Sequence, residues 1–288
     1  MKTLRIYNYE ILNFDTEPMV FSSKGFTKIT EPKIIEALQL IEKNQSKYIH
    51  PHALDHILKK AKLQPASAIK FLKSLSIIGE LTDPPSFQRT IIYHDLEIPG
   101  ETTKYLEKKY NNKLEIRNIA DYIHPNNDEP TLFVFACAKL SPHLLKSTYK
   151  KLLATNPNYG ATVGFISGVH FHLTEIHIPS IGNPCAFCTL DRIAHYESLR
   201  TSQHHWSKIW SFCRSNNLDL PKIEIDELQK SLILGTIISF TNKLTQAPKS
   251  KTTQDQVLLS RTINLETGIT TEDASVHWPL CQCIGFEQ

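Results

Sequence analysis

No Gly-x-Gly-x-x-Gly follows any strand-like segment of this chain, and no phosphate-binding loop motif is present. Its ten glycines are scattered over 288 residues, so no glycine-rich cradle exists for a nucleotide. The segment expected to open an α/β sheet, Ile91-Ile92-Tyr93-His94-Asp95-Leu96-Glu97, contains none. A Gly-x-Ser-x-Gly nucleophile elbow is missing too. The opening Met1-Lys2-Thr3-Leu4-Arg5-Ile6 lacks the apolar run of a signal peptide. No stretch approaches the ~18 apolar residues of a membrane helix. The longest, Ser231–Phe240, is too short and carries hydroxyls. Repeats and low-complexity tracts are absent. These absences lead us to expect a cytoplasmic protein with no membrane partner, no bound nucleotide and no recognisable catalytic apparatus.

What is present describes a soluble globular chain. Hydrophobic residues at 41% and charged residues at 21% suit one or two domains with a substantial core. Net charge is only +3, yet residues 1–90 hold thirteen Lys/Arg against nine Asp/Glu. A mildly basic front could attract an acidic peptide or a nucleic acid, and it is equally what a solvated surface looks like.

Six cysteines carry the strongest signal. Four form two tight pairs, Cys185-Ala-Phe-Cys188 and Cys281-Gln-Cys283, the first behind Gly182-Asn183-Pro184 and the second behind His277-Trp278-Pro279. Four thiolates suit a tetrahedral zinc ion with no open position, which is a structural site. In a chain without export signals, such cysteines point to metal ligation rather than disulfides. Two alternatives stand beside zinc. One is redox chemistry at Cys185, favoured by a following helix but leaving the second pair unexplained; the other is four unrelated buried thiols. Cys137 and Cys213 lie in apolar runs and read as core. His170 and His172 share one face of a strand, with Glu175 the only acid nearby. They read as surface or hydrogen-bonded rather than as a second metal site. His277 reads as an alternative zinc ligand or, since four thiolates are available, rather as a partner behind the ligands.

Along the chain, Leu4–Phe14 reads as a strand with imperfect alternation, followed by short strands at Met19-Val20-Phe21 and Lys24–Ile29. Thr30-Glu31-Pro32 opens a helix, and two more run from His52 and from Pro65. With a returning β wing, these make a winged-helix module over residues 1–85. From residue 86 the texture becomes strand–helix alternation, an α/β sheet inside an overall α+β chain. Strands are expected at Thr90–Asp95, Leu114–Asn118, Thr131–Ala138, Thr162–Ile178, Gln256–Leu265 and Ala274–Trp278. Helices are expected at Thr102–Lys109, Pro142–Ala154, Leu190–Leu199, Gln203–Ser215 and Ile225–Thr245.

The run Gly182-x-Pro184-Cys185-x-Phe187-Cys188, the helix start Asp191-Arg192 and the terminal His277-Trp278-x-x-Cys281-x-Cys283 resemble the McbB family. These are the zinc-containing B subunits of microcin-type thiazole/oxazole synthetases. Leu218-Asp219-Leu220-Pro221 downstream of Trp206 looks similar as well. The likeness is most specific after Gly182; over residues 1–180 it rests on the order of elements.

The resemblance implies a non-catalytic scaffold. A winged-helix peptide-recognition module (1–85) would precede a degenerate ubiquitin-activating-enzyme-like α/β domain (86–288), with zinc on Cys185, Cys188, Cys281 and Cys283. Implied partners are the leader of a ribosomally made precursor peptide, a YcaO cyclodehydratase that forms azolines, and an FMN-dependent dehydrogenase that oxidises them. A homodimer within a hetero-oligomer is also implied. The leader would add a strand beside the third strand and pack on the third helix. That points to Lys24, Phe26, Lys28 and Ile29, with Lys70 and Lys73. The alternative is a winged-helix DNA-binding regulator with a zinc-stabilised effector domain. Its reading helix would offer only Gln64, Lys70 and Lys73. An active adenylating enzyme is opposed by the missing glycine-rich loop.

Overall fold

The computed structural model describes residues 3–7, 9–14, 17–22, 25–43, 48–80, 87–111, 113–125, 128–199, 206–245, 257–274, 276–278, 281 and 283. The chain divides into two compact units, one of residues 1–82 together with 279–288 and one of residues 83–278.

The first unit holds β1 (Leu4–Ile6), β2 (Glu10–Phe14), β3 (Glu17–Ser22), β4 (Gly25–Lys28), α1 (Pro32–Lys43), β5 (Tyr48–Ile49), α2 (Pro51–Lys60), α3 (Pro65–Ser74) and β6 (Ile78–Glu80). The opening run is two strands rather than one. β1 lies between β5 and β6, whereas β2 pairs with β3 and β3 with β4, all antiparallel. Alternation breaks between Ile6 and Glu10 because the two halves serve different sheets, whose buried faces set different parities. Tyr9 fastens this crossing, its hydroxyl donating to Leu38 O at 2.7 Å.

Helical spacing buries Ile34, Ile35, Leu38 and Ile41 of α1, Leu54, Ile57 and Leu58 of α2, and Ala68 and Leu72 of α3. Pro51 and Pro65 sit in first turns, where a missing N–H costs nothing. These side chains enclose one core with Leu4, Val20, Ile29, Ile77 and Ile78.

The second unit is a mixed α/β layer structure. In chain order it comprises β7 (Arg89–His94), α4 (Gly100–Lys109), β8 (Leu114–Asn118), β9 (Thr131–Cys137), α5 (Pro142–Thr155), β10 (Gly160–Ser167), β11 (His170–Leu173), α6 (Ala186–Leu199), α7 (Trp206–Ser215), α8 (Glu227–Thr245), β12 (Leu259–Asn264) and β13 (Thr270–Ala274). One seven-stranded sheet runs β13-β12-β11-β10-β9-β7-β8. β8, β7, β9 and β10 are parallel; β11, β12 and β13 are added antiparallel. Every residue of β9 is buried, as a parallel strand covered on both faces requires. Among the described residues no helix is long and apolar enough to cross a membrane.

Two expected strands are corrected. Thr162–Ile178 is not continuous: Gly168, at φ +58°, turns the chain so that Ser167 faces His170 across a hairpin. Beyond Leu173 the regular ladder ends, and the pairing goes on through a bond from Thr174 N to Val163 O at 2.9 Å and an isolated bridge of Ala161 with His177. Among the described residues the last strand is Thr270–Ala274 rather than Ala274–Trp278, and all five of its residues are exposed.

Candidate metal centre

The Sγ atoms of Cys185, Cys188, Cys281 and Cys283 lie within 4.8 Å of one another; three of these residues are buried and Cys283 is half-buried. A tetrahedral ion with sulfur ligands at about 2.3 Å would set its sulfurs roughly 3.8 Å apart. The Cys185–Cys188 Sγ separation is 3.9 Å. Four soft donors, closely spaced and mostly screened from water, fit a closed four-sulfur ion such as zinc, which would supply cross-linking rather than chemistry.

The loop that presents the first pair is built residue by residue. Ile181 and Gly182 both donate to Ile178 O, at 3.0 and 3.2 Å, and Gly182 sits at φ +68°. That left-handed conformation favours glycine. Asn183 is buried and clamps the turn: its Oδ1 accepts from Ile178 N at 2.8 Å, and its Nδ2 donates to Ile176 O at 2.7 Å. The Asn183 carbonyl accepts from His177 Nδ1 at 2.7 Å, since a carbonyl can only accept. α6 then starts at Ala186, four residues before the expected Leu190, and Cys188 N closes its first turn on Cys185 O at 2.8 Å. Both sulfurs therefore project from one helical turn.

Further side chains brace this turn. Tyr149 of α5 meets Phe187 edge to face at 5.5 Å, and its hydroxyl accepts from Ala186 N at 3.4 Å. Thr189, directly after Cys188, donates its hydroxyl to Oε2 of the buried Glu175 at 2.6 Å. Asn183, Tyr149 and Thr189 carry no motif and were not singled out in the sequence. The run Gly182-Asn183-Pro184 ahead of the first pair is the one hint the sequence offers. Glu175 turns toward Thr189, not toward a histidine metal site.

The remaining residues separate cleanly. Cys137 is buried on β9, and burial pushes its thiol pKa up. Cys213 is buried on α7. His170 and His172 do share a face, with ring centroids 6.0 Å apart, but His172 Nδ1 bonds Thr262 Oγ1 at 2.9 Å. Burial, with His170 beside it, lowers the His172 pKa to about 4.

Of the residues expected to meet a leader peptide, Lys24 lies outside the described residues. Phe26 is 56% exposed on β4, its ring 4.8 Å from that of Phe21. Lys28 and Lys70 are exposed; Lys73 is 3.7 Å from Glu80. Ile29 is different: it is buried in the core, and its N–H is spent on Pro18 O at 3.0 Å. Among the described residues β4 pairs only with β3, which makes it an edge strand of its sheet.

The fold and the cysteine cluster thus define a mixed α/β protein with a closed four-thiol centre of metal-binding geometry. The chain belongs to the family described as Microcin B17-processing protein McbB, which it matches over residues 4–285. It is 21% identical to the Microcin B17-processing protein McbB of Escherichia coli over 286 residues, 98% of this chain and 95% of that one. Among solved structures it is similar to a chain of the E. coli microcin synthetase McbBCD complex. The TM-score is 0.61 at 19% identity, covering 96% of this chain and 99% of that one. The same complex with pro-MccB17 bound gives a TM-score of 0.55 at 17% identity, covering 98% and 99%.

Proposed function

We propose that this chain is a non-catalytic subunit of a thiazole/oxazole-forming synthetase, acting in the cytoplasm in the maturation of a microcin-type peptide. It holds the leader of the precursor and presents the remainder to a YcaO cyclodehydratase and an FMN-dependent dehydrogenase. The single observation that carries this reading is the family match over nearly the whole chain, residues 4–285. The similar E. coli complex that contains pro-MccB17 supports the peptide as partner.

In this reading residues 1–85 are a winged-helix recognition module and residues 86–288 a degenerate ubiquitin-activating-enzyme-like domain. The leader adds a strand to the outer edge of β4, where main-chain bonds give affinity and exposed side chains give selectivity. Lys24, Phe26, Lys28, Lys70 and Lys73 remain the contact residues; the Ile29 side chain serves the core instead. A zinc ion on Cys185, Cys188, Cys281 and Cys283 fastens the last residues of the chain to the start of α6. The subunit works as a homodimer within the larger assembly.

The test is reconstitution. A candidate precursor and a YcaO cyclodehydratase are mixed with and without the purified chain, and loss of water from the precursor is followed by mass spectrometry. Dehydration only when both the chain and the leader are present supports the proposal. Equal dehydration without the chain, or no affinity of the chain for the leader, overturns it.

A further inference from the structure

In an open α/β sheet, ligands bind outside the carboxyl ends of the strands, where the chain reverses its direction of travel across the sheet. Here that point lies between β7 and β9. The connection after β7 moves outward to β8, and the connection after β9 moves the other way to β10. At these two strand ends a carboxylate of this chain meets the main-chain amides.

Asp95 follows β7 directly, and its carboxylate crosses to the end of β9. Oδ1 accepts from Ala138 N at 2.5 Å and Oδ2 from Lys139 N at 2.9 Å. Two successive main-chain N–H groups converging on one anion form the concavity that phosphates occupy elsewhere. The contact spans 43 residues of sequence, so it is not a local turn.

A strap is fastened beside the same strand ends. Between α7 and α8, Leu220 is buried and donates its N–H to Leu140 O at 2.8 Å. On one side Asp219 pairs with Lys139 at 2.9 Å; on the other Lys222 pairs with Glu97 at 2.5 Å. Lys230 adds a 3.4 Å bond to the Glu97 carbonyl. Glu97 itself sits at φ +53°, a conformation for which glycine is the usual residue. The turn thus keeps a glycine-like backbone while carrying a side chain that anchors the strap.

We propose that Asp95 is an internal anion, seated on the Ala138 and Lys139 amides at the sheet's switch point, so that the crevice is a self-occupied anion site. Its work is to join β7 to β9 and to exclude soluble phosphates. Removing the carboxylate exposes an amide pair that accepts inorganic phosphate. This inference does not depend on peptide maturation.

The experiment compares thermal unfolding of the wild-type chain, Asp95→Ala and Lys222→Ala in phosphate and in chloride of equal ionic strength. Asp95→Ala should unfold on the order of 5 °C lower, since two bonds to a charged acceptor are lost. Phosphate should return at least roughly 2 °C of that loss by binding the folded state. Wild type and Lys222→Ala, which keep the carboxylate, should show only the smaller, general stabilisation that phosphate gives a folded protein over chloride. If Asp95→Ala is too unstable to purify, its refolding yield should be higher in phosphate than in chloride. Indifference of Asp95→Ala to phosphate in both measurements, or an equal response in all three proteins, overturns the proposal.

Discussion

His277 Nε2 lies 3.2 Å from the carbonyl oxygen of Gly182, although 95 residues separate them in sequence. A carbonyl can only accept, so this ring nitrogen carries the proton. The bond holds the turn three residues ahead of Cys185, where a shift would move a sulfur out of tetrahedral reach. Partners of this kind, one step removed from the metal, typically alter affinity by ten- to a hundred-fold when lost. His277→Ala should therefore release zinc to a competing chelator at roughly ten-fold lower chelator concentration than wild type. Unchanged release would remove His277 from the site.

His172 gives a pH dependence with a defined sign. Its folded-state pKa is lowered to about 4 from the ordinary 6.5, because burial and the neighbouring His170 disfavour the charged ring. Between those values the unfolded chain binds more protons than the folded one, so stability falls as pH drops from about 6.5 toward 4. The slope from one such group cannot exceed about 1.4 kcal/mol per pH unit. Urea unfolding at pH 7 and pH 4.5 should show a smaller difference for His172→Gln than for wild type.

Phe26 allows the proposed leader contact to be tested apart from stability. More than half exposed on the edge strand β4, it contributes little to the core of its unit. Phe26→Ala should weaken binding of the precursor's leader by roughly five- to thirty-fold, the range of an aromatic contact worth about 1–2 kcal/mol. The unfolding midpoint should stay within about 0.5 kcal/mol of wild type. Titration of a fluorescent leader peptide, alongside denaturant melts, reads both numbers.

The sequence made some elements plain and concealed others, for identifiable reasons. Leu114–Asn118 was placed to the residue, because a short alternating run bounded by polar turns leaves one choice. β9 and α5 were nearly as clear. β13 was misplaced because Thr270-Thr271-Glu272-Asp273-Ala274 is exposed throughout and carries no apolar alternation. The break at Gly168 is set by one positive φ inside an otherwise extended run. The cysteine pairs announced their own cluster, since ligand spacing is written in side chains. The bracing around them was not legible: Asn183 and Thr189 act through main-chain or buried partners that no spacing encodes. The Asp95 contact was hidden for the same reason, as amides carry no residue-specific signature.

The account rests most directly on the metal content of the protein purified without chelator. Elemental analysis should find ~1 zinc per chain, as one closed four-sulfur site requires. Cys185→Ser combined with Cys281→Ser should abolish that zinc and lower the unfolding temperature, because metal binding contributes to folding. A native protein free of transition metal, or a double variant that is equally stable and equally loaded, would contradict the account.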